Sequence, residues 1–226
     1  MGIIGVVAAL TLPNLNSSTG DKEKVAKVKK IYQNLNDAFG RAQAVYGPLN
    51  TWCVGYSGDC NARSFDRILE FLKTSKKCDS VTSCSIELSE NVSSATYSTA
   101  AVLADGTTIG WRCSLSNSVI GICTIDVDID GVQRGKNRYG YDVFSFFLNN
   151  EKGISTGYAS GDYIFPISDA DHVYGGVGSD YFSPDKAAAW IISFENMDYL
   201  KTKGKDGTTC PDGKTKLTFG GNHTCK

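Results

Sequence analysis

Apolar residues are unevenly spread along this chain. Residues 2–12 (GIIGVVAALTL) carry no charge, and Pro13 follows. A run apolar on every side reads as a helix that seeks lipid or protein all round. Its length as a helix is roughly 16 Å, about half of a ~30 Å hydrocarbon core, so this run does not span a bilayer. It carries no basic flank of the kind a secretory signal needs. It reads as a buried core helix, or as the back half of a longer apolar helix.

After a polar stretch, 14–20, the pattern changes. Val25, Val28, Ile31, Leu35, Ala38, Phe39, Ala42 and Val45 recur at spacings of three and four. That period predicts an amphipathic helix over 21–46 with one buried stripe, ended by Gly47-Pro48. Lys22, Lys24, Lys27, Lys29 and Lys30 fall mostly off the stripe and read as a solvated face.

Beyond this rod, Phe65, Ile68, Leu69 and Leu72 predict a second helix over 64–77, with Ser64 as its cap. Residues 95–113 predict a hairpin around Asp105-Gly106, and 118–130 continue the sheet. Residues 142–148 (DVFSFFL) read as a strand or a short helix, and 163–167 as a further strand. Residues 187–200 start as a helix and end as a loop. Helices followed by strands give an α+β protein: a long N-terminal helix packed on an antiparallel sheet. Trp111, Trp190, Phe144, Phe146 and Phe147 are its expected aromatic core.

Composition narrows the class. The 226 residues are 41% hydrophobic and 21% charged, which argues against disorder. Lys plus Arg number 23 and Asp plus Glu 24, for a net charge of -1. Such a chain has no global field to hold nucleic acid, and none is expected as a primary partner.

The 8 cysteines fall as near neighbours, with no C-x-x-C and only His172 and His223 to add nitrogen ligands. Disulfides formed in an oxidising compartment fit this better than zinc. Proximity suggests Cys53 with Cys60, Cys78 with Cys84, Cys113 with Cys123 and Cys210 with Cys225, although spacing alone does not fix connectivity.

Ile3, Ile4, Val6, Val7, Leu10, Leu12 and Pro13, in the run IIGVVAALTLP, resemble the second half of the N-terminal segment of type IV pilins and type II secretion pseudopilins. Three further stretches are similar to one bacterial branch of that family: VLADGTTIGW (102–111), DIDGVQRGKNRYGYDVFSF (128–146) and AWIISFENMDYLK (189–201). Asp130 and Lys136 stand where that branch has Asn and Pro. The tail after Lys201, enclosed by Cys210 and Cys225, departs from the usual ending.

The resemblance implies a pilin-like fold in three parts. Residues 1–20 form part of a membrane and filament anchor, 21–201 a globular domain, and 202–226 a disulfide-closed tail. It implies a structural subunit that is no enzyme, assembling through its N-terminal helix into a type IV pilus or type II secretion pseudopilus. The partners implied are other pilin or pseudopilin subunits, the inner membrane, its assembly platform and a prepilin peptidase. The basic leader, cleavage site, methylated residue and glutamate of the family have no counterparts in this sequence. Processing is therefore expected of a fuller gene product only. The location implied is the bacterial inner membrane with a periplasmic or extracellular domain, then a filament.

Two other chemistries bear on the function. Asp126, Asp128 and Asp130 alternate with Ile125, Val127 and Ile129, ahead of Gly131. This approaches a D-x-D-x-D-G calcium loop, but the twelfth position is Asn137 rather than Glu. Alternate strand residues also stand roughly 6.6 Å apart. The first reading is a strand with an apolar inner and an acidic outer face. The second is a loop pinned by Ca2+ through Asp128, Asp130 and Asp142, a reading strengthened because some secretion pseudopilins bind calcium. Signals for enzymes are poor, with no G-x-S-x-G, P-loop or H-E-x-x-H. A minor pilin of adhesin type, with a contact loop at 175–184, and a secreted disulfide-rich hydrolase or binding domain are the alternatives.

Overall fold

Periodicity and a terminal glycine set the first element. In the computed structural model, helix α1 runs from Ile3 to Tyr46, 44 residues without a break at Pro13 or Gly20. The structure describes residues 3–78, 99–116, 119–131, 134, 137, 139–149, 153–155, 187–202, 208–218 and 220–225; the side chains of 3–19, 122, 149 and 153–155 are outside the description. The polar stretch 14–20 is thus helical and joins the apolar run to the amphipathic one. The Gly47 N–H closes the last turn on the Gln43 carbonyl at 2.9 Å, with φ +77° at Gly47, a backbone angle that favours glycine.

Every stripe position from Val25 to Ala42 is buried, but Val45 is 62% exposed. The seam ends at Trp52, whose ring packs on Phe39 and Tyr46 with centroids 6.2 and 6.4 Å apart. Tyr46, not Val45, therefore carries the stripe into the cover.

Helix α2 spans Cys60–Leu69, earlier than the expected 64–77. Its cap is Asp59, whose carboxylate accepts from the backbone N–H groups of Asn61 at 2.9 Å and Ala62 at 3.3 Å. Ser64 instead lies inside the helix, buried. Its hydroxyl donates to the Asn61 carbonyl at 3.0 Å and accepts from Trp111 Nε1 at 3.1 Å.

Among the described residues the sheet has six antiparallel strands in sequential order. They are β1 (Thr74–Cys78), β2 (Thr99–Leu103), β3 (Thr108–Ser116), β4 (Val119–Asp128), β5 (Val143–Asn149) and β6 (Gly153–Ser155). The Asp105-Gly106 hairpin joins β2 to β3 as expected. Residues 142–148 resolve in favour of the strand. Strand β1 takes up the last four residues of the expected helix, and β6 lies where no element was expected. The segments 163–167 and 175–184 lie outside the described residues.

Helix α3 (Ala187–Phe194) is followed by a 3-10 turn, Asp198–Lys201. One core joins the α1 stripe, Phe65 and Ile68 of α2, the inner sheet face and Trp190 of α3. Tyr32 stacks on Phe146 at 5.8 Å, and Phe65 on Trp111 at 5.3 Å. All five aromatic residues expected in the core are buried.

Disulfides join Cys53 to Cys60, Cys113 to Cys123 and Cys210 to Cys225. Cys78 is also disulfide-bonded, and Cys84 lies outside the described residues. Cys113 and Cys123 face each other directly across β3 and β4. The C-terminal tail is not a loose appendage: Cys210 and Leu217 belong to the common core. The protein is thus an α+β fold with a long N-terminal helix, an antiparallel sheet and disulfide-closed loops. Among the described residues no helix is long and apolar enough to cross a membrane.

Candidate functional site

Alternation along β4 sends Ile125 and Val127 to one face of the sheet and Asp126 and Asp128 to the other. The acidic face was expected outside, yet Asp126 is 1% and Asp128 0% exposed. The chain after β4 folds back over it. Tyr139 donates its hydroxyl to Asp126 Oδ2 at 2.6 Å, and Ser145 of β5 donates to Oδ1. Burial still outweighs both hydrogen bonds and pushes the Asp126 carboxyl up to about 6. The Tyr139 hydroxyl is raised as well, by burial first and then by the charge of Asp126.

Asp128 closes the end of β4. Its Oδ1 accepts from the N–H groups of Asp130 at 3.2 Å and Gly131 at 3.0 Å, which bends the strand into a turn. Gly131 has φ +87°, and a Cβ there would lie 2.8 Å from the Gly106 carbonyl oxygen. This turn therefore packs backbone to backbone on the Asp105-Gly106 hairpin. Asp128 Oδ2 and Asp130 Oδ1 are buried without a hydrogen-bond partner. Two ionised carboxylates have no proton to offer each other. Burial first, then the neighbouring Asp130 carboxyl, raises Asp128 to about 7. A proton on Asp128 supplies the donor this pair lacks.

The following turn is tied from three sides. The Gly140 carbonyl accepts from the Tyr199 hydroxyl at 2.7 Å. The Tyr141 carbonyl accepts from Lys24 Nζ at 3.0 Å, and that of Asp142 from the Ile129 N–H at 3.0 Å. Three consecutive carbonyls thus bind the C-terminal segment, the long helix and the residue that follows β4.

Calcium needs about six to eight oxygen ligands around one point. Asp128 and Asp130 are brought together, and their two orphaned oxygens suit a hard cation. Asp142 is buried as well. Among the described residues no three Asp, Glu, His or Cys side chains are grouped to hold a metal ion. Asp126, outside the expected set of Asp128, Asp130 and Asp142, is engaged by Tyr139 and Ser145, and the Asp142 carbonyl accepts from Ile129.

The expected anchor residues Ile3, Ile4, Val6, Val7, Leu10, Leu12 and Pro13 all lie in the first three turns of α1. Lys22, Lys27 and Lys30 of the lysine run are exposed, as expected, but the run also makes long-range contacts. Lys24 reaches Tyr141, Lys29 pairs with Glu195, and Lys30 lies 3.6 Å from Asp105. Only the tertiary fold shows this, since all three partners lie far along the chain. His223 stacks on Phe194 with centroids 3.7 Å apart. His172 lies outside the described residues.

No family model, no curated protein and no solved structure matches this chain.

Proposed function

We propose that this protein is a structural subunit of a type IV pilus or type II secretion pseudopilus and works by polymerising through α1. The observation that carries the reading is one continuous helix of 44 residues in which, among the residues whose side chains are described, the buried stripe runs from Val25 to Ala42. At 1.5 Å per residue the helix is about 66 Å long, and the stripe to Ala42 takes up about 26 Å of it. The uncharged run ahead of Pro13 belongs to the same rod. Both a bilayer and the interior of a bundle of such rods accept a helix apolar on every side. The buried stripe, with Lys24 on the Tyr141 carbonyl, fastens the packed half to the domain, so a pull on the rod is passed to the whole subunit. Disulfide-closed loops suit a domain displayed in an oxidising compartment. The family resemblance of the apolar run and of the three later stretches points the same way.

The test is made in the producing bacterium, with a photo-crosslinking amino acid at Val7. The expected result is a ladder of cross-linked copies in the membrane fraction and in sheared filaments, abolished by Ile4→Asp. Recovery of the whole population as a dissolved monomer without cross-links overturns the reading.

A further inference from the structure

At the far end of the long helix, α2 carries a charge arrangement that folding does not explain. Arg63 and Arg67 stand one turn apart, a spacing at which like charges repel and weaken a helix. Neither is in an ion pair among the described residues. Two carboxylates lie nearby, and the charge of Glu70 acts on Arg67 without forming an ion pair with it. Asp66 pairs with Lys77, and Glu70 receives the Tyr46 hydroxyl at 2.5 Å.

Aromatic rings hold both guanidiniums, and Arg67 also donates from Nη1 to the Trp52 carbonyl at 3.4 Å, which leaves its remaining N–H groups for a ligand. Arg63 lies 4.3 Å from the Tyr56 ring centroid, and Arg67 lies 4.5 Å from that of Tyr46 and 5.5 Å from that of Trp52. Burial, and next the charge of Arg63, lower the pKa of Arg67. Together with Tyr46, Tyr56, Ala62, Asp66 and Glu70, the two arginines line an open hollow of about 320 Å3. The Cys53–Cys60 disulfide ties the loop bearing Tyr56 to the start of α2, so the hollow is set before any ligand arrives.

A guanidinium stacked on a ring has its flat face satisfied and keeps in-plane N–H donors, a fork that matches sulfate and phosphate oxygens. Two such forks one turn apart match one tetrahedral oxyanion, which also relieves their repulsion. We infer that Arg63 and Arg67 form a binding site for a tetrahedral oxyanion, the sulfate or phosphate monoester group of an extracellular ligand. The inference is independent of the filament reading, because no residue of the hollow belongs to the apolar run.

Titration of the intact protein with sodium sulfate, sodium phosphate and a sulfated heparin disaccharide tests it, with sodium chloride at matched ionic strength as the control. Tryptophan fluorescence and thermal melting are the readouts. The expected result is a saturable response to sulfate and phosphate, with affinity reduced about tenfold or more by Arg63→Gln. Arg67→Lys, which keeps the charge and loses the fork, is expected to weaken binding similarly. Tighter binding of the disaccharide than of sulfate assigns the group to a glycan, and equal binding assigns the site to the free ion; both support the site. A response no larger than that to chloride, or one unchanged in Arg63→Gln with circular dichroism intact, overturns it. Arg63 packs on an exposed ring only, so its variant keeps the test decisive if Arg67→Lys fails to fold.

Discussion

Lys24 Nζ lies 3.2 Å from the centroid of the Tyr141 ring and donates a 3.0 Å hydrogen bond to the Tyr141 carbonyl. One ammonium therefore fastens the long helix to a turn 117 residues away. The contact combines a cation–π interaction with a hydrogen bond to a charged donor, in a half-buried setting where each is stronger than at an open surface. The same turn is held at its neighbouring carbonyls by Tyr199 and Ile129, so the loss of Lys24 leaves it fixed on two sides.

Lys24→Met keeps the aliphatic stem and removes the charge and the donor. It is expected to lower unfolding free energy by about 1–2 kcal/mol. Urea denaturation checks this. Tyr141→Leu, which removes the ring and leaves the carbonyl, is expected to cost less than Lys24→Met.

Asp126 and Asp128 set the pH dependence. Both hold a proton more tightly folded than unfolded, with folded values near 6 and 7 against an ordinary 3.8. The folded state therefore binds more protons between about pH 4 and 7, and stability falls as pH rises through that window. The Asp126 shift alone corresponds to about 3 kcal/mol. Melting followed from pH 4 to 8 in buffer with a chelator is expected to show this decline. Asp126→Asn is expected to flatten the profile and to melt higher than the parent at pH 8. A parent profile that rises with pH across the window refutes the assignment.

Ser64 links α2 to β3 through the buried Trp111 Nε1. Ser64→Ala removes the acceptor and leaves a buried N–H without a partner. The expected cost is about 1–3 kcal/mol, measured by urea denaturation. Trp111→Phe, made on top of Ser64→Ala, removes the orphan donor and is expected to cost less than the sum of the two single changes.

The tail is clamped twice. Cys210–Cys225 closes it, and the Cys225 N–H donates to Asp198 Oδ2 at 2.8 Å. Replacing both cysteines with Ser is expected to cost about 2–4 kcal/mol. Limited proteolysis is expected to cut first within 208–225 while the sheet stays intact. Cleavage no faster than in the parent rules out a role for this bridge in holding the tail.

The sequence determined what local spacing can encode. Period 3.6 specified the buried stripe of α1, and Gly47-Pro48 its end. Asp105-Gly106 specified the β2–β3 turn. Nearness in the chain suggested the pairs Cys53–Cys60, Cys113–Cys123 and Cys210–Cys225. Each of these depends on residues within about one turn, hairpin or loop.

Tertiary structure decided the rest, because the deciding contacts come from far along the chain. Thr74–Cys78 (TSKKC) has no apolar alternation and is a strand only because β2 offers it an edge; its exposed lysines guard the outer side of the sheet. Asp126 and Asp128 read as an exposed acidic face until Tyr139 and Ser145 closed over that side. Lys24 and Lys29 read as solvated because Tyr141 and Glu195 are distant in sequence. A charge is solvated or engaged according to what folds onto it, and nothing in the run of neighbouring residues records that.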